Sequence, residues 1–349
     1  MTISEAARED LPGPWHVAVV GAGVAGLSCA RALAARGVRV TVFESAAAPG
    51  GRLAALQTDG GLHDVGAPWA WVQSAAFART IRTWADANVV RSWPAVAVEI
   101  DNASIRRTSS AGARGLRFVG MPAMAALGQH LAQGIDVVLQ ARVARLARGR
   151  EEWFLFDPIN RQLGIAGFDA VVLAVPSPVA AALAHGWTEL ATRVEAVRWD
   201  ACWVGALTLA RACGLGFDVA RIHADPILAM AVRDSAKPGR GGDDAGDGEG
   251  GERWTLTAHA GWSNRFSDLT PDEAVRWMQK AFAARLARVL VPKAAVGMRW
   301  HHALPVNPLA ESFLWDAHRR IGFAGDWCGG ATVDAAVVSG TELGKVVGA

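Results

Sequence analysis

The sequence predicts a mixed α/β and α+β fold, in which a Rossmann-like nucleotide-binding domain is interleaved with a second domain of antiparallel sheet and helices. Three observations lead to this prediction. The chain has 349 residues, more than the roughly 250 to 300 at which one hydrophobic core usually stops growing. A Gly-x-Gly-x-x-Gly motif at 21–26 separates a strand pattern from a helix pattern. Finally, 321–349 returns to a strand, a tight loop and a helix.

The first half of the chain supplies the elements of the nucleotide domain. Residues 16–45 predict a buried strand, a glycine turn, an amphipathic helix and a second buried strand, which together form a βαβ unit. The Gly-, Asp- and Pro-rich stretch 50–70 predicts a loop. A helix is expected at 75–88, with an apolar face of Phe77, Ile81 and Trp84.

The remaining elements alternate between short strands and helices. Short strands are expected over 95–117, 135–149 and 151–157, a helix over 121–133, and a buried strand over 168–178 that ends at two prolines. The alternation of apolar and polar residues over 198–233 and 253–260 predicts further strands, and the Thr-Pro pair at 270–271 begins a helix that extends to 290.

These elements predict two interleaved domains and two disordered segments. The nucleotide domain is expected to comprise 14–66, 119–185 and 297–349, and the second domain 67–118 and 186–296. Residues 1–13 and the low-complexity stretch 237–251 are expected to be disordered, because 237–251 has almost no apolar residue that could pack.

The charge balance argues against nucleic acid and membrane partners. The 35 basic residues nearly cancel the 33 acidic ones, so no strong field gathers an anionic polymer or lipid. The chain shows neither a signal peptide nor an apolar span, which predicts a cytoplasmic protein. The four cysteines include no C-x-x-C pair, so we expect no metal site.

The glycine motif indicates a site for a dinucleotide. Gly21 permits a tight turn, Gly23 lets the backbone approach a pyrophosphate, and Gly26 lets helix and strand pack closely, while the helix N-terminus offers amide donors. Glu44 ends the second strand, where a carboxylate accepts hydrogen bonds from ribose hydroxyls and disfavours a 2'-phosphate. A plain glycine turn with a surface glutamate is the competing explanation.

Two further patterns favour FAD over NAD. Pro49-Gly50-Gly51-Arg52 brings backbone and a guanidinium towards the diphosphate. At the C-terminus, Asp326 ends a strand before a helix that begins near Thr332, so a carboxylate for a ribityl hydroxyl and amides for the flavin ring are offered together. An ordinary strand-loop-helix is the alternative there. No second glycine motif follows a strand, which argues against a separate NAD(P)H domain.

Together, these motifs resemble the flavin amine oxidase superfamily, and the resemblance spans nearly the whole chain. It rests on VVGAGVAGL, Glu44, PGGR, DVGA at 64–67, VVLAVP at 171–176 and the GDW-to-SG ending. Within it, FVGMPAMAAL at 118–127, the segment 254–262 and RWHHALP at 299–305 are similar to renalases, especially bacterial ones.

The resemblance implies a glutathione-reductase-type FAD domain that binds FAD noncovalently, since the residues around Cys328 do not reproduce a flavin-attachment motif. It also implies that the Val143 backbone contacts the adenine. The expected cofactor-binding residues are Gly21, Gly23, Ala25, Gly26, Glu44, Ser45, Gly51, Arg52, Gly66, Ala67, Val143, Asp326 and Val333.

Renalases oxidise the 2- and 6-dihydro isomers of NAD(P)H to NAD(P)+ and pass the electrons to O2, which gives hydrogen peroxide. The resemblance therefore implies this small-molecule chemistry, which needs orientation and desolvation more than an acid or base. The expected substrate-face residues are Trp69, His259, Trp262, Trp300 and His302. For each of them, structural packing is the competing explanation.

Three other functions stay open. The first is a flavin amine or amino-acid oxidase, which the absence of tyrosine disfavours, because amine oxidases often hold the amine between tyrosine rings. An isomerase or desaturase of similar fold is a weaker enzyme alternative. The third is a non-catalytic FAD-binding redox protein.

Overall fold

The computed structural model describes residues 15–102, 104–108, 116–240 and 251–348. The helices are α1 Val24–Ala34, α2 Ala75–Asp86, α3 Ala125–Ala132, α4 Ser177–Ala184, α5 Leu190–Glu195, α6 Ala260–Arg265, α7 Pro271–Leu286 and α8 Val333–Val346. The strands are β1 His16–Val20, β2 Arg39–Phe43, β3 Ala55–Thr58, β4 Gly61–Asp64, β5 Ala70–Trp71, β6 Val90–Trp93, β7 Ala97–Asp101, β8 Ser104–Arg107, β9 Arg117–Gly120, β10 Asp136–Val138, β11 Arg145–Arg148, β12 Trp153–Phe156, β13 Gln162–Phe168, β14 Ala170–Leu173, β15 Trp199–Leu209, β16 Val219–Ile222, β17 Leu228–Arg233, β18 Arg253–Ala258, β19 Pro292–Pro305, β20 Leu314–Asp316 and β21 Ile321–Phe323.

A mainly parallel sheet forms the centre of the nucleotide domain. Its strand order is β10-β2-β1-β14-β21-β20, and only β20 runs antiparallel to its neighbour. In this register Val20 pairs with both Phe43 and Leu173, so the carboxyl ends of the three central strands meet at one edge. Ligands of open parallel sheets bind at that edge.

Helices cover one face of this sheet and a small antiparallel sheet covers the other. On the first face, α1 and α8 pack closely, because a Cβ on Gly340 would collide with the Ala25 carbonyl of α1. On the second face, the sheet β11-β12-β13 packs with α4 and α5 around Trp153, Leu155 and Phe168.

A seven-stranded sheet forms the centre of the second domain, with the order β19-β15-β18-β17-β16-β7-β8. Helix α7 covers one face, where Met278 and Phe282 pack on Trp254 and Leu207. The other face turns towards the nucleotide domain, since Val204 and Cys202 of β15 pack with Val65. The chain therefore places a sheet face over the segment that follows Asp64.

The predicted fold class is confirmed, and most elements lie where the sequence pattern placed them. The expected helices are found as α2, α3 and α7, and Thr270 forms a capping box with Glu273 at the start of α7. Helices α4, α5 and α6 and strand β13 were missed, and the stretch 50–70, expected to be a loop, contains strands β3 and β4. The division into two domains stays a prediction, but 297–305 belongs to β19 of the antiparallel sheet rather than to the nucleotide domain.

The prediction of disorder over 237–251 is wrong at its described ends. Lys237 and Arg240 are buried, 2% and 7% exposed, because both side chains bind buried carboxylates. Residues 1–13 and 241–250 lie outside the described residues. Among the described helices, none combines the length and the apolar character needed to cross a membrane.

Candidate functional site

The glycine turn between β1 and α1 lies at the carboxyl edge of the parallel sheet. Gly21 has a φ of +102°, and a Cβ there would lie 2.6 Å from the Ala174 carbonyl oxygen. A Cβ on Gly26 would collide with the Gly21 carbonyl, whereas a Cβ on Gly23 would meet no atom within 4 Å. Gly21 and Gly26 are therefore required for packing, and Gly23 leaves an open space beside the backbone.

The N-terminus of α1 opens onto this space. Gly23 is its N-cap, no side chain accepts a hydrogen bond from its first turn, and that turn has no acidic residue. The first amides of a helix, here including that of Ala25, need an external acceptor. Together with the helix dipole, they provide a place for a phosphate.

Glu44 fixes the end of β2 against the glycine turn. Its carboxylate accepts hydrogen bonds from the Ala22 amide at 2.7 Å, the Ala46 amide at 2.8 Å and the Ser45 hydroxyl at 3.2 Å. It is 7% exposed. The carboxylate is thus held at the position where the sequence places the ribose of a dinucleotide.

The PGGR segment lies directly on the glycine turn. The Gly50 amide donates to the Ala22 carbonyl at 2.8 Å, and Gly23 and Gly50 form a β-bridge. Gly51 has a φ of +54°, and its Cβ would lie 3.3 Å from the Gly23 Cα. Both segments therefore border the same open space, as the sequence predicted.

Arg52 and Asp326 join the N-terminal and C-terminal motifs in a bidentate ion pair. Its two hydrogen bonds measure 2.7 and 2.6 Å, and Arg52 also donates to the Ala303 carbonyl at 3.1 Å. The sequence assigned Arg52 to a diphosphate and Asp326 to a ribityl hydroxyl. Instead, the two side chains bind each other, because the turn after β21 brings the carboxylate within reach of the guanidinium.

At Gly66 and Ala67 the backbone lies close to that of the PGGR segment. The Ala67 amide donates to the Arg52 carbonyl at 2.8 Å, and a Cβ on Gly66 would collide with that carbonyl. Val143 is buried in the loop between β10 and β11. We call the Gly21–Gly26 turn, Glu44, Gly50–Arg52, Gly66–Ala67 and Asp326 the cofactor edge.

The N-terminus of α8, where Val333 is the first residue, differs from that of α1. The Thr332 side chain accepts the Ala335 amide at 3.1 Å. The buried Asp334 carboxylate accepts the amides of Gln73 and Ser74, at 2.7 and 2.8 Å. The helix start is therefore capped by a side chain and carries a negative charge that binds another segment of the chain.

Three of the five expected substrate-face residues lie beside the cofactor edge. Trp69 is two residues beyond Ala67 and packs against Trp71. Trp300 donates its indole N–H to the Val65 carbonyl at 2.7 Å. The His302 ring lies 5.8 Å from that of Trp199, which also stacks with Arg52.

His302 is half-buried, and burial lowers its pKa below the usual value, with further lowering by His301 and Arg52. The imidazole is therefore neutral at pH 7. A neutral ring can pack on a flat ligand without adding a positive charge next to Arg52.

Of the other two candidates, Trp262 lies in a core cluster of the second domain and His259 at the start of α6. Trp262 is 9% exposed in the core cluster under α7, and its ring lies 5.4 Å from Phe266. His259 precedes α6, where its amide donates to the Ile227 carbonyl at 2.8 Å. For Trp262, core packing accounts for the residue, because a six-residue helix needs a large apolar side chain to anchor it on the sheet.

A group of buried charges that the sequence does not predict lies beside the cofactor edge. Lys237 binds Asp64 at 2.7 Å and Asp234 at 2.6 Å, and all three side chains are fully buried. Arg240 pairs with both carboxylates, and Arg253 donates to the Arg240 and Gly60 carbonyls. We call these five residues the ion cluster.

The ion cluster has an unequal charge balance, with two carboxylates and three cations. Burial alone would raise the pKa of Asp234, but Lys237 and Arg240 hold it below the usual value. Next to it, burial lowers the pKa of His63 to about 4, so this histidine is neutral. The Asp64 carboxylate also accepts the Met124 amide at 2.9 Å, which fixes the segment that leads to Gly66.

Comparisons with known proteins agree with this geometry. Residues 19–84 match the model of the NAD(P)-binding Rossmann-like domain. A stretch of 51 residues is 51% identical to hydroxyneurosporene desaturase of Rubrivivax gelatinosus, and covers 15% of this chain and 10% of that protein. A stretch of 50 residues is 50% identical to 4,4'-diapophytoene desaturase of Staphylococcus haemolyticus, and covers 14% of this chain and 10% of that protein. The matches thus span about a tenth of these relatives.

Solved structures are similar over almost the whole chain. A protein assigned as a protoporphyrinogen oxidase from Exiguobacterium sp. 255-15 has a TM-score of 0.74 at 12% identity, over 95% of this chain and 98% of its own. Putrescine oxidase bound to putrescine (TM-score 0.67, 13% identity) covers 95% and 98%. Cyclohexylamine oxidase from Brevibacterium oxydans IH-35A (TM-score 0.67, 13% identity) covers 96% and 98%. At 12–13% sequence identity, these structural similarities establish the fold alone.

Proposed function

We propose that this protein is an FAD-dependent oxidoreductase of the flavin amine oxidase and desaturase type, with one FAD held noncovalently along the cofactor edge. The observation that carries the proposal is the convergence of four distant segments at that edge: the glycine turn, Gly50–Arg52, Gly66–Ala67 and the Asp326 turn. A site bordered by several backbone segments in this way suits an extended dinucleotide.

The residues at the edge fit FAD from end to end. Gly23 and the open N-terminus of α1 would hold the pyrophosphate, and Glu44 would bind the adenosine ribose, where it favours free hydroxyls over a 2'-phosphate. Gly66, Ala67 and the N-terminus of α8 would border the flavin ring. When bound, FAD accepts a hydride and passes electrons to O2, which yields hydrogen peroxide.

The substrate proposed is a reduced nicotinamide nucleotide, most specifically a 2- or 6-dihydro isomer of NAD(P)H, which leaves as NAD(P)+. Trp69, Trp300 and the neutral His302 offer flat rings beside the flavin segment. They orient the nicotinamide and exclude water. A dihydropyridine releases hydride without deprotonation, so a site that lacks an aligned acid and base is sufficient.

A flavin amine or amino-acid oxidase is the second candidate. It is favoured by the likeness over nearly the whole chain to putrescine oxidase and cyclohexylamine oxidase, whose names state their amine substrates. The absence of tyrosine weighs against it. A desaturase-like activity and a non-catalytic FAD-binding role are the remaining alternatives.

The test is anaerobic reduction of the FAD-loaded protein. Borohydride-reduced NAD+, which contains the 2- and 6-dihydro isomers, is mixed with the protein, and the long-wavelength flavin absorption is followed. Rapid bleaching that air reverses, with hydrogen peroxide formed, is the expected result. If amines or amino acids bleach the flavin and the dihydro isomers do not, the amine-oxidase candidate replaces the proposal. If no reductant bleaches it, the non-catalytic role does.

A further inference from the structure

Arg117 lies in an aromatic cage next to the proposed flavin site. It is on β9, the central strand of the sheet β5-β9-β6, and pairs in register with Trp71 on one side and Trp93 on the other. Its guanidinium carbon lies 4.9 Å from the ring centre of Trp71 and 5.2 Å from that of Trp69. Stacking on two indoles fixes the plane of the guanidinium.

Other buried guanidinium groups of the described residues have acceptors. Arg52, Arg233 and Arg240 each bind a carboxylate, and Arg253 donates to two backbone carbonyls, whereas no carboxylate of the described residues lies within ion-pair distance of Arg117. Its Nε is buried and, like those of Arg233, Arg240 and Arg253, has no hydrogen-bond partner among the described residues. The cage therefore holds a half-buried cation whose donors are prepared for an anion but not occupied by one from the described chain.

The electrostatic surroundings of Arg117 favour an incoming anion. Burial lowers its pKa, and so does the positive charge of Arg221. Arg221 lies on the same face of β16 as Val219, which packs in the core cluster that contains Trp69. Asp218 opposes this effect, but its carboxylate already binds Arg233 and the Val96 amide.

Trp69 and Trp71 of the cage lie on a segment that is fixed at both ends, by the cofactor edge and by α8. Before Trp69, the Ala67 amide binds the Arg52 carbonyl at the cofactor edge. After Trp71, the Gln73 and Ser74 amides bind Asp334 in the first turn of α8. An anionic group bound to Arg117 would therefore belong to a molecule lying next to the flavin.

We propose that Arg117, supported by Arg221, binds an oxyanion of the substrate, and that this anion is the phosphate of the reduced nicotinamide nucleotide. This inference rests on the proposed function and adds a specificity to it. A guanidinium offers parallel donors to two phosphate oxygens, so the site should select nucleotides over the corresponding nucleoside, which has the same reacting ring and no phosphate.

The experiment compares two substrates in the FAD-loaded protein: the 2- and 6-dihydro isomers of nicotinamide mononucleotide and of nicotinamide riboside. In Arg117→Met, kcat/KM for the mononucleotide should fall about 10- to 100-fold, the usual effect of losing a charged hydrogen bond, and mainly through KM. The riboside should change by less than about twofold, and Arg117→Lys should restore part of the mononucleotide activity.

Arg320→Met is the matched control. Arg320 also stacks on an indole, at 5.1 Å from the Trp15 ring centre, but Trp15 precedes β1 at the amino end of the parallel sheet. This control should leave both substrates unchanged. Equal losses for mononucleotide and riboside in Arg117→Met would overturn the inference in favour of a purely structural role, and so would no change for either.

Failure of the proposed function gives a different pattern. Suppose that neither dihydronicotinamide reduces the wild-type flavin. Anion binding by Arg117 is then tested independently of that activity, by calorimetric titration with nicotinamide mononucleotide and by reduction of the flavin with amino acids. Weaker mononucleotide binding, or loss of amino-acid oxidation, in Arg117→Met alone would support an oxyanion site for phosphate or carboxylate respectively. Unchanged behaviour in both assays would overturn it.

Discussion

The cofactor edge and the ion cluster are neighbouring polar regions. They differ in whether their polar groups have partners within the protein. At the cofactor edge, Gly23 leaves open space and α1 starts without a side-chain cap. In the ion cluster, Lys237 and Arg240 are enclosed by Asp64 and Asp234. The first region leaves backbone donors without an acceptor from the described chain, whereas the second pairs its charges within the chain. Substitutions should therefore separate cofactor affinity from stability.

The largest effect is expected when the ion cluster loses its lysine. Lys237→Met removes the buried ammonium that binds both Asp64 and Asp234 and leaves a carboxylate oxygen of each without that partner, which should cost about 3 kcal/mol or more of unfolding free energy. Urea denaturation measures this. Lys280→Met is the control, since Lys237 lies over the Trp93 ring and Lys280 over the Trp277 ring, but Lys280 is on an exposed surface. A loss below about 1 kcal/mol in Lys237→Met would contradict the account.

A comparable effect should appear as a pH dependence that belongs to His63. Its folded pKa of about 4 lies below the usual 6.5, so the unfolded chain binds a proton first as the pH falls. The stability is complete above pH 6.5 and decreases towards pH 4 by about 3 kcal/mol. His63→Gln should flatten the denaturation midpoints between pH 7 and 4, whereas the exposed His318→Gln should not. Parallel curves for wild type and His63→Gln would refute this assignment.

At the cofactor edge, Gly23→Asp should separate cofactor affinity from stability. A Cβ at this position would meet no atom within 4 Å, and aspartate is a good N-cap, so the apo protein should be as stable as the wild type or more stable. Its charge occupies the phosphate position, so the Kd for FAD should rise by at least about 100-fold. Fluorescence titration with FAD measures the affinity.

The control for Gly23→Asp is Thr332→Asp, which exchanges one cap for another at α8, where Asp334 already lies in the first turn. Its effect on FAD affinity should be much smaller. If both substitutions weaken FAD binding equally, the two helix starts do not differ in the way proposed.

The smallest effect is expected for the Arg52–Asp326 pair, the ion pair within the cofactor edge. Because Arg52 is 31% exposed, solvent screens the pair, and Arg52→Met should cost about 1 to 2 kcal/mol of stability. A double-mutant cycle with Asp326→Asn should give a coupling of about 1 kcal/mol. Additive effects of the two substitutions would show that the pair contributes no coupling.

The same contrast explains which parts of the molecule the sequence predicts. Gly21, Gly23 and Gly26 lie within six residues of sequence. The backbone requirement at each of them can be recognised from this local motif. The ion cluster joins 64, 234–240 and 253, whose proximity depends on tertiary packing. No local pattern separates Lys237 from a solvated loop residue, so a composition argument assigned it to disorder.

Two other errors have related causes. Trp262 was grouped with substrate-face residues by resemblance, but its apolar ring packs under α7. The sequence predicts that Arg52 and Asp326 lie near one bound cofactor, but their direct pairing depends on how β21 and the PGGR segment meet in three dimensions. Local motifs therefore predicted the position of these side chains, and the fold determined their partners.

The central claim, that one FAD is held noncovalently at the cofactor edge, is tested most directly by measuring flavin released from the purified protein. The protein is saturated with FAD, freed of excess, denatured, and separated from the supernatant. The account predicts about one FAD per chain in the supernatant for the wild type and Thr332→Asp, and almost none for Gly23→Asp. A wild-type protein that retains no flavin, or a Gly23→Asp protein that retains as much as the wild type, would contradict it.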